Sequence, residues 1–289
     1  MIGLKDHYVI CNWTAKTLPL IRQLRSDLLQ SERRVIVVVT RREIDPSFLL
    51  REQEKLGAGE NAEGEGFLQD VFFFPGDPTD IRVLQAVSVE DAHCVLVLAE
   101  EDLGEAADAR TLLTLFALRA IEAAAEQNGE TVRINTVAEI TSAQNYHKFR
   151  TLEEDAWNRM GDDGQGFLEV VRAESLQTRI LAQAARTPGL VSFYSDLLAF
   201  SEDTNEIYHQ PIPAPIRGNY RTFSALSEAL LDHEISDGKG GRMHILPIGI
   251  FRKGSFFLSP TREEERLQEG DHLVFIAPSL PPKDAWKEL

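Results

Sequence analysis

The sequence predicts an α/β fold: a Rossmann-like doubly wound parallel sheet, then a helical crossover and a smaller β-rich α+β C-terminal subdomain. Three observations predict it. Short apolar runs alternate with longer amphipathic runs through the first half of the chain, as in βαβ units. Residues 33–40 (RRVIVVVT) form a near-continuous β-branched run, which is typical of strands buried on both faces. Beyond residue 201 the composition changes to prolines and short strand-like runs.

Composition and charge exclude several classes of protein. A chain of 289 residues with 43% hydrophobic and 26% charged residues is long enough for one large or two modest soluble domains. Its net charge of −16 argues against a general nucleic-acid binder and against a polybasic membrane-surface protein. No apolar run approaches the ~20 residues of a membrane span. Cys11 and Cys94 lie in apolar runs without metal-site spacing, which favours a reducing, cytoplasmic setting.

The first domain, residues 1–166, is predicted to hold five strands and the helices between them. The strands are expected at residues 7–13, 33–40, 71–74, 93–99 and 131–138. The helices are expected at residues 18–28, 47–56, 80–87 and 108–125, the third of them capped by Asp80. Residues 57–66 read as a loop, and the acid- and glycine-rich residues 153–166 are interpreted as a break in the pattern.

Residues 167–203 are predicted to form a sixth strand at 167–171 and two crossover helices at 175–186 and 190–200. These helices carry more apolar positions than a one-sided surface helix needs. The positions are Leu176, Ile180, Leu181, Ala184, Phe193, Tyr194, Leu197 and Leu198. They indicate either a surface for a partner or a core within the chain.

The third segment, residues 204–289, is predicted to be β-rich. Strands are expected at residues 206–210, 243–251, 256–259 and 271–277, with one helix at 223–231. Because proline cannot lie inside a helix, Pro211, Pro213 and Pro215 predict extended edge or linker chain.

The first strand-to-helix turn is the expected ligand crevice of a doubly wound sheet. The dinucleotide-binding pattern places three glycines there, and this chain offers Asn12, Thr14 and Thr17, with Trp13 among them. Asn12 tolerates the left-handed turn and Thr14 can cap the helix. The side chains crowd the position of a pyrophosphate, so ordinary dinucleotide binding is disfavoured.

The second strand ends in Thr40, Arg41 and Arg42, where a ribose-binding sheet has an acidic residue. Two guanidinium groups there suit a phosphate-bearing ligand through bidentate contacts. They equally suit a solvated helix entrance in acidic surroundings.

A calcium site needs several carboxylate oxygens converging at about 2.3–2.6 Å. Glu100, Glu101 and Asp102 form one candidate cluster, and acidic residues within 153–163 and 202–206 form two others. None has EF-hand spacing. In a chain of this charge, an acidic cluster is also consistent with a solvated face.

Several segments in order resemble one known family. They include residues 6–13 (DHYVICNW), 76–79 (GDPT), 206–208 (EIY), 248–250 (IGI) and 270–277 (GDHLVFIA). The first two resemble the RCK domain, the TrkA-N-type regulator of potassium conductance. The later ones resemble its TrkA-C subdomain, so the likeness covers essentially the entire chain.

The resemblance implies a ligand-sensing regulatory domain, not an enzyme, of a potassium channel or potassium uptake system at the cytoplasmic face of the cell membrane. It implies a homo-oligomer whose crossover helices form the dimer contact, the dimers building a tetrameric or octameric ring. The expected partners are a channel pore or transporter membrane domain and a small-molecule or ion ligand, with no nucleic acid. The alternative, from fold alone, is an NAD(P)-dependent oxidoreductase with an appended β-rich domain.

The resemblance also implies the site residues. The ligand would be an adenine nucleotide or NAD(H), or Ca²⁺. Glu139 matches a position that holds a cation near phosphate in some relatives, or it is a solvated strand end. The expected cofactor-binding residues are Asn12, Trp13, Thr14, Thr17, Thr40, Arg41, Arg42, Gly76, Asp77, Ala99, Glu100 and Glu139, and the expected metal ligands are Glu100, Glu101 and Asp102.

Overall fold

A computed structural model gives the fold of the chain. It describes residues 3–25, 33–45, 47–49, 51, 68–104, 106–160, 165–198, 205–238, 240–252, 254–262, 264–282 and 284–288. The chain divides into two compact units, Met1–Leu181 and Ala182–Leu289. The predicted loop at 57–66 and the ends of the helices predicted at 18–28, 47–56 and 190–200 lie outside the described residues.

The first unit is built on a six-stranded parallel sheet. Its strands are β1 (Tyr8–Cys11), β2 (Ile36–Thr40), β3 (Val71–Pro75), β4 (Cys94–Val97), β5 (Thr136–Ile140) and β6 (Leu168–Arg172). They lie in the order β3-β2-β1-β4-β5-β6. The order reverses between β1 and β4, which is the switch point of a doubly wound sheet. The predicted fold class is confirmed.

Helices cover both faces of this sheet. They are α1 (Thr17–Arg25), α2 (Ile81–Ala86), α3 (Ala106–Gln127) and α4 (Tyr146–Arg159), and residues 47–49 and 51 are also helical. Asp80 caps α2 as predicted, accepting the Arg82 backbone N–H. Successive strand residues face opposite sides: Val37 packs in one core with α3, and Val38 packs in a second core with α1.

Two predictions in this unit are wrong. The fifth strand begins at Thr136, not at residue 131, because the buried Glu122 carboxylate accepts the Ile134 backbone N–H at 2.8 Å and keeps it out of the ladder. Residues 153–159 continue α4 instead of breaking the pattern. Their acidic groups are used in packing: Glu153 accepts the Val170 N–H at 2.9 Å.

The crossover helices are α5 (Ala173–Arg186) and α6 (Leu190–Leu198). None of their described residues is buried. Leu181 and Leu198 are 64% and 60% exposed, and Leu176, Val191 and Phe193 are exposed by more than half. The described chain therefore leaves these apolar side chains facing solvent.

The second unit contains a four-stranded antiparallel sheet of order β11-β10-β12-β7 and a small β8-β9 pair. Its elements are β7 (Glu206–Pro211), α7 (Ala214–Asn219), α8 (Phe223–Asp232), β8 (Ile235–Ser236), β9 (Arg242–Met243), β10 (Leu246–Arg252), β11 (Ser255–Leu258) and β12 (His272–Ala277). Leu226, Leu230, Ile250 and Phe275 are central to its separate hydrophobic core.

The proline prediction is partly wrong in this unit. Pro213 is the N-cap of α7 and Pro215 lies in its first turn. A backbone N–H has no intrahelical partner there, so proline removes nothing the helix uses. The strand predicted at 243–251 is also divided between β9 and β10. None of the described helices is long and apolar enough to cross a membrane.

Candidate functional site

The candidate site lies at the carboxyl ends of the parallel strands, and Asn12 shapes its first turn. Asn12 has φ = 76°, the left-handed conformation that the sequence predicted for this position. Its side-chain amide is buried and donates to the Leu98 carbonyl at 2.8 Å. Asn12 therefore joins the end of β1 to the residue after β4.

The two threonines that follow close the turn before α1. The Thr14 hydroxyl accepts the Lys16 backbone N–H at 3.2 Å, and the Thr14 N–H donates to the Thr17 hydroxyl at 2.9 Å. Trp13 packs edge-on against Phe73, with ring centroids 5.7 Å apart. Trp13 thus belongs to the hydrophobic cluster on the α1 face.

Arg41, Asp77, Glu100 and Arg110 form a charged network at the ends of β2, β3 and β4. The Arg41 guanidinium donates through Nη2 to both Glu100 oxygens, at 3.1 and 2.9 Å. Arg110, on α3, donates to Glu100 at 3.2 Å and to Asp77 at 2.6 Å. Arg41 Nε lies 3.9 Å from Asp77. The Glu100 side chain is only 4% exposed.

Asp77 is held in this network by local hydrogen bonds as well. Its Oδ1 accepts the Thr79 backbone N–H at 3.0 Å and the Thr79 hydroxyl at 2.8 Å. Burial acts to raise the pKa of Asp77, but these bonds and Arg110 outweigh it and lower the pKa below its ordinary value. The Asp77 carboxylate is therefore ionised at neutral pH.

Gly76 allows α2 to approach this strand end closely. A Cβ at Gly76 would lie 2.6 Å from Cγ1 of Val83, which is shorter than any ordinary contact. The Gly76 N–H donates to the Thr40 carbonyl at 2.9 Å, and the Thr40 hydroxyl accepts the Arg42 N–H at 3.0 Å. Arg42 itself pairs with Asp102.

Lys16 links the first turn to the end of β5. Its ammonium group donates to Glu139 at 2.6 Å and also to Glu101. Glu139 further accepts the Ala99 backbone N–H at 3.3 Å. Burial acts to lower the pKa of Lys16, but the two carboxylates raise it above its ordinary value.

An open groove of about 470 Å³ adjoins Lys16. It is lined by Lys16, Glu101, Gly104, Glu139, Ile140, Thr141, Ala173, Glu174 and Gln177. Three of these residues are acidic and one is basic, so the groove favours a cation over an anion.

The candidate metal ligands face three different cations. Glu100 pairs with Arg41, Glu101 with Lys16 and Asp102 with Arg42. Within the part of the chain that the structure describes, no three His, Cys, Asp or Glu side chains are grouped to hold a metal ion. The structure therefore does not bring these three carboxylates together on one point.

Sequence reasoning missed Lys16, Asp108 and Arg110. Asp108, in the first turn of α3, accepts the Thr141 N–H at 2.7 Å and the Asn145 amide at 2.7 Å. The signal for Asp108 and Arg110 was available: both are polar residues in the first turns of an Ala/Leu-rich helix whose start faces the strand ends. Lys16 carried no signal beyond its place in the turn.

The chain is similar in sequence to parts of known ion channels. Residues 3–141 match the model of the calcium-activated potassium channel slowpoke-like RCK domain. The calcium-gated potassium channel TvoK of Thermoplasma volcanium is 25% identical over 283 residues, which is 95% of this chain and 63% of TvoK. The probable ion channel CASTOR of Oryza sativa subsp. japonica is 31% identical over 125 residues, 43% of this chain and 12% of CASTOR.

The fold comparison agrees. The human SLO3 gating ring superposes with a TM-score of 0.63 at 16% identity, over 99% of this chain and 46% of that one. The chain spans less than two thirds of each of these three proteins. Strands β1 to β5 and the turn at Asn12 all lie within residues 3–141, and these residues are similar to the RCK domain of the slowpoke-like family.

Proposed function

We propose that the chain is a ligand-sensing regulatory domain of a potassium channel or potassium uptake system, and that it catalyses no reaction. The alignment with TvoK carries this proposal, because its 283 residues include both compact units. The pore it acts on is either another part of a longer protein or a separate membrane partner. In both cases the domain works in the cytoplasm, at the inner face of the membrane.

The proposed organisation follows the sequence. Residues 1–166 form the RCK N-terminal domain, residues 167–203 the sixth strand and crossover helices, and residues 204–289 the TrkA-C-like subdomain. Copies pair through α5 and α6, and the pairs build a tetrameric or octameric ring. Exposure of Leu181 and Leu198 supports the pairing, because apolar side chains grouped on two helices lower their free energy by contact with a partner.

The ligand acts by binding one ring conformation better than the other. A difference in affinity of about 1–3 kcal/mol per site is the usual scale of such coupling, and it adds up over a ring. Of the two ligand classes expected from the sequence, Ca²⁺ and an adenine nucleotide, the groove beside Lys16 favours the cation. There Glu101 and Glu139 already hold an ammonium group that a divalent cation would replace.

Two measurements test the proposal. Light scattering should give a mass of at least a dimer, and calorimetric titration should detect Ca²⁺ binding that Mg²⁺ at equal concentration does not reproduce. A monomer at every concentration that binds no Ca²⁺ would contradict the proposal. Turnover of a substrate with NAD(P)H would instead support the oxidoreductase alternative.

A further inference from the structure

Four side chains close the sheet crevice with a ring of ion pairs. Arg41 and Arg110 both donate to Glu100, and both face Asp77. Two cations and two anions make the ring neutral. It sits at the carboxyl ends of β2, β3 and β4, the edge of a doubly wound sheet where nucleotides bind and where an arginine after the second strand can take a phosphate group.

Several of the N–H donors that a phosphate would use are already taken. A phosphate binds a guanidinium through the same paired N–H donors as a carboxylate does. Nη2 of Arg41 spans the two Glu100 oxygens at 3.1 and 2.9 Å, and Nη2 of Arg110 lies 2.6 Å from Asp77. A phosphate that bound through these nitrogens would have to displace a carboxylate from each arginine.

Displacement is unfavourable for two physical reasons. Glu100 belongs to the same chain as its partners, so its effective concentration beside them far exceeds that of a dissolved ligand. Its side chain is 96% buried, so the Glu100 carboxylate would remain close to a phosphate that took over its arginine partners. The repulsion between these two anions would be strong, because the buried site has a low dielectric constant. The chain's net charge of −16 adds a general repulsion.

We propose that Glu100 is a built-in counter-anion, which occupies the phosphate position of the crevice and excludes phosphorylated ligands from it. The specificity of the site is then set by one acidic residue that pairs with Arg41 and Arg110. This inference rests on the proposed regulatory function and deepens it, because it removes nucleotides from the ligands that this crevice senses.

Removal of the Glu100 charge tests the proposal. In Glu100→Gln, Arg41 and Arg110 outnumber Asp77 and the crevice gains one positive charge. Calorimetric titration with inorganic pyrophosphate and with ADP should show no binding to the natural chain at millimolar concentration, and at least tenfold tighter binding to Glu100→Gln. Glu130→Gln removes an exposed carboxylate after α3 and should behave like the natural chain.

Three results would overturn the proposal: ADP or pyrophosphate binding to the natural chain below about 100 μM, Glu100→Gln binding no tighter than the natural chain, or an equal gain in Glu130→Gln. If Glu100→Gln does not fold, Glu100→Ala replaces it, since it also removes the carboxylate that pairs with Arg41 and Arg110, and the same tenfold gain is required. The oligomeric mass of each variant is recorded by light scattering. A normal ring with no gain in phosphate binding contradicts only this inference, whereas the absence of a ring contradicts the proposed function.

Discussion

The Lys16 ammonium group lies 2.6 Å from Oε1 of Glu139 and also donates to Glu101, so one cation holds an acid near the end of β5 and an acid after β4. Glu139 is nearly buried, and the two carboxylates raise the pKa of Lys16 although burial alone would lower it. Lys16 therefore stays protonated through neutral pH. The groove thus has a resident cation supplied by the chain itself.

Replacement of Lys16 by glutamine should strengthen Ca²⁺ binding. Lys16→Gln removes the competing charge and leaves Glu101 and Glu139 without an ammonium partner, so we expect an affinity gain of about tenfold, worth about 1.4 kcal/mol. Calorimetric titration measures it. The control Lys5→Gln alters an exposed lysine just before β1. Unchanged Ca²⁺ affinity in Lys16→Gln would exclude the groove as the cation site.

Asp108 should anchor the loop after β5. It accepts hydrogen bonds from Thr141, Ser142 and Asn145. Burial acts to raise the pKa of Asp108, but these bonds outweigh it and lower the pKa. Asp108→Ala leaves several donors unpaired, so the free energy of unfolding should fall by about 2 kcal/mol at pH 7 in urea titrations.

The sign of the pH dependence follows from the lowered pKa of Asp108. Its contribution is present above the unfolded value of about 4 and is lost as the pH falls through the folded pKa. The difference between the natural chain and Asp108→Ala should therefore shrink in acid. The control Asp196→Ala, at an exposed position on α6, should change stability little at either pH. A difference between natural chain and Asp108→Ala that persists at pH 2 would argue against a charge effect.

The second unit should lose stability as the pH falls from 7.5 to 5. Nδ1 of His209 lies 3.0 Å from Nδ1 of the buried His272. Burial lowers the pKa of both rings, and the positive charge of His209 lowers the pKa of His272 further. Asp271 acts to raise the pKa of His272, but the other two effects outweigh it. The unfolded chain, with histidine pKa values near about 6.5, then binds more protons than the folded chain, so acid favours unfolding.

Urea titrations of His209→Gln at the two pH values measure this effect. The variant removes the like charge beside His272, so it should lose less stability on acidification than the natural chain. His233→Gln, at an exposed position after α8, is the control and should lose as much as the natural chain. An identical acid loss in all three proteins would show that the pair does not contribute.

Charge on the crossover helix should lower the oligomeric mass. Leu198→Asp replaces an apolar side chain that is 60% exposed with a carboxylate, so the fold of both units should be unaffected while pairing is weakened. Light scattering over a range of concentrations measures the change, and circular dichroism checks the fold. Ser192→Asp adds the same charge at an exposed polar position of α6. Equal masses for all three proteins would place the pairing surface elsewhere.

Gly76 and Val83 should be coupled energetically. Gly76→Ala places a Cβ 2.6 Å from Cγ1 of Val83. The Val83 side chain or the end of β3 must therefore shift, which should lower the free energy of unfolding by about 1–2 kcal/mol. Val83→Ala removes that methyl group. The double variant should recover most of the loss caused by Gly76→Ala, measured as a double-mutant cycle of unfolding free energies. A purely additive cycle would show that Gly76 is required for another reason.

The strands could be predicted because runs of apolar, β-branched residues in the local sequence indicate buried strands. All five residues of β2 are buried, and a β-branched run of that length has few other structures available. The ends of helices and strands, in contrast, depend on side chains that are distant in the sequence. Nothing near Ile134 indicates that Glu122, 12 residues earlier, accepts its N–H and delays β5. The acidic residues of the C-terminal half of α4 likewise led to the prediction of a break. One of them, Glu153, instead accepts the backbone N–H of Val170, 17 positions away.

The candidate site shows the same division. The left-handed turn at Asn12 was predictable from residue type alone. The pairing of Arg41 with Glu100 was not, since the two lie 59 positions apart and each is individually consistent with a ligand contact. Arg110 joins them because the rotation of α3 about its axis turns this side chain toward Glu100 and Asp77. Sequence periodicity does not predict that rotation precisely enough to show which side chains meet.

The run Glu100, Glu101 and Asp102 connects places that are remote along the chain, since its partners Arg41, Lys16 and Arg42 lie 59, 85 and 60 positions away. Three neighbouring residues must therefore point at three separate targets at once. A single inserted or deleted residue ahead of the run would misdirect every one of them together, whereas a point substitution disturbs one. Loop length at this strand end is thus under a tighter constraint than the identity of any member.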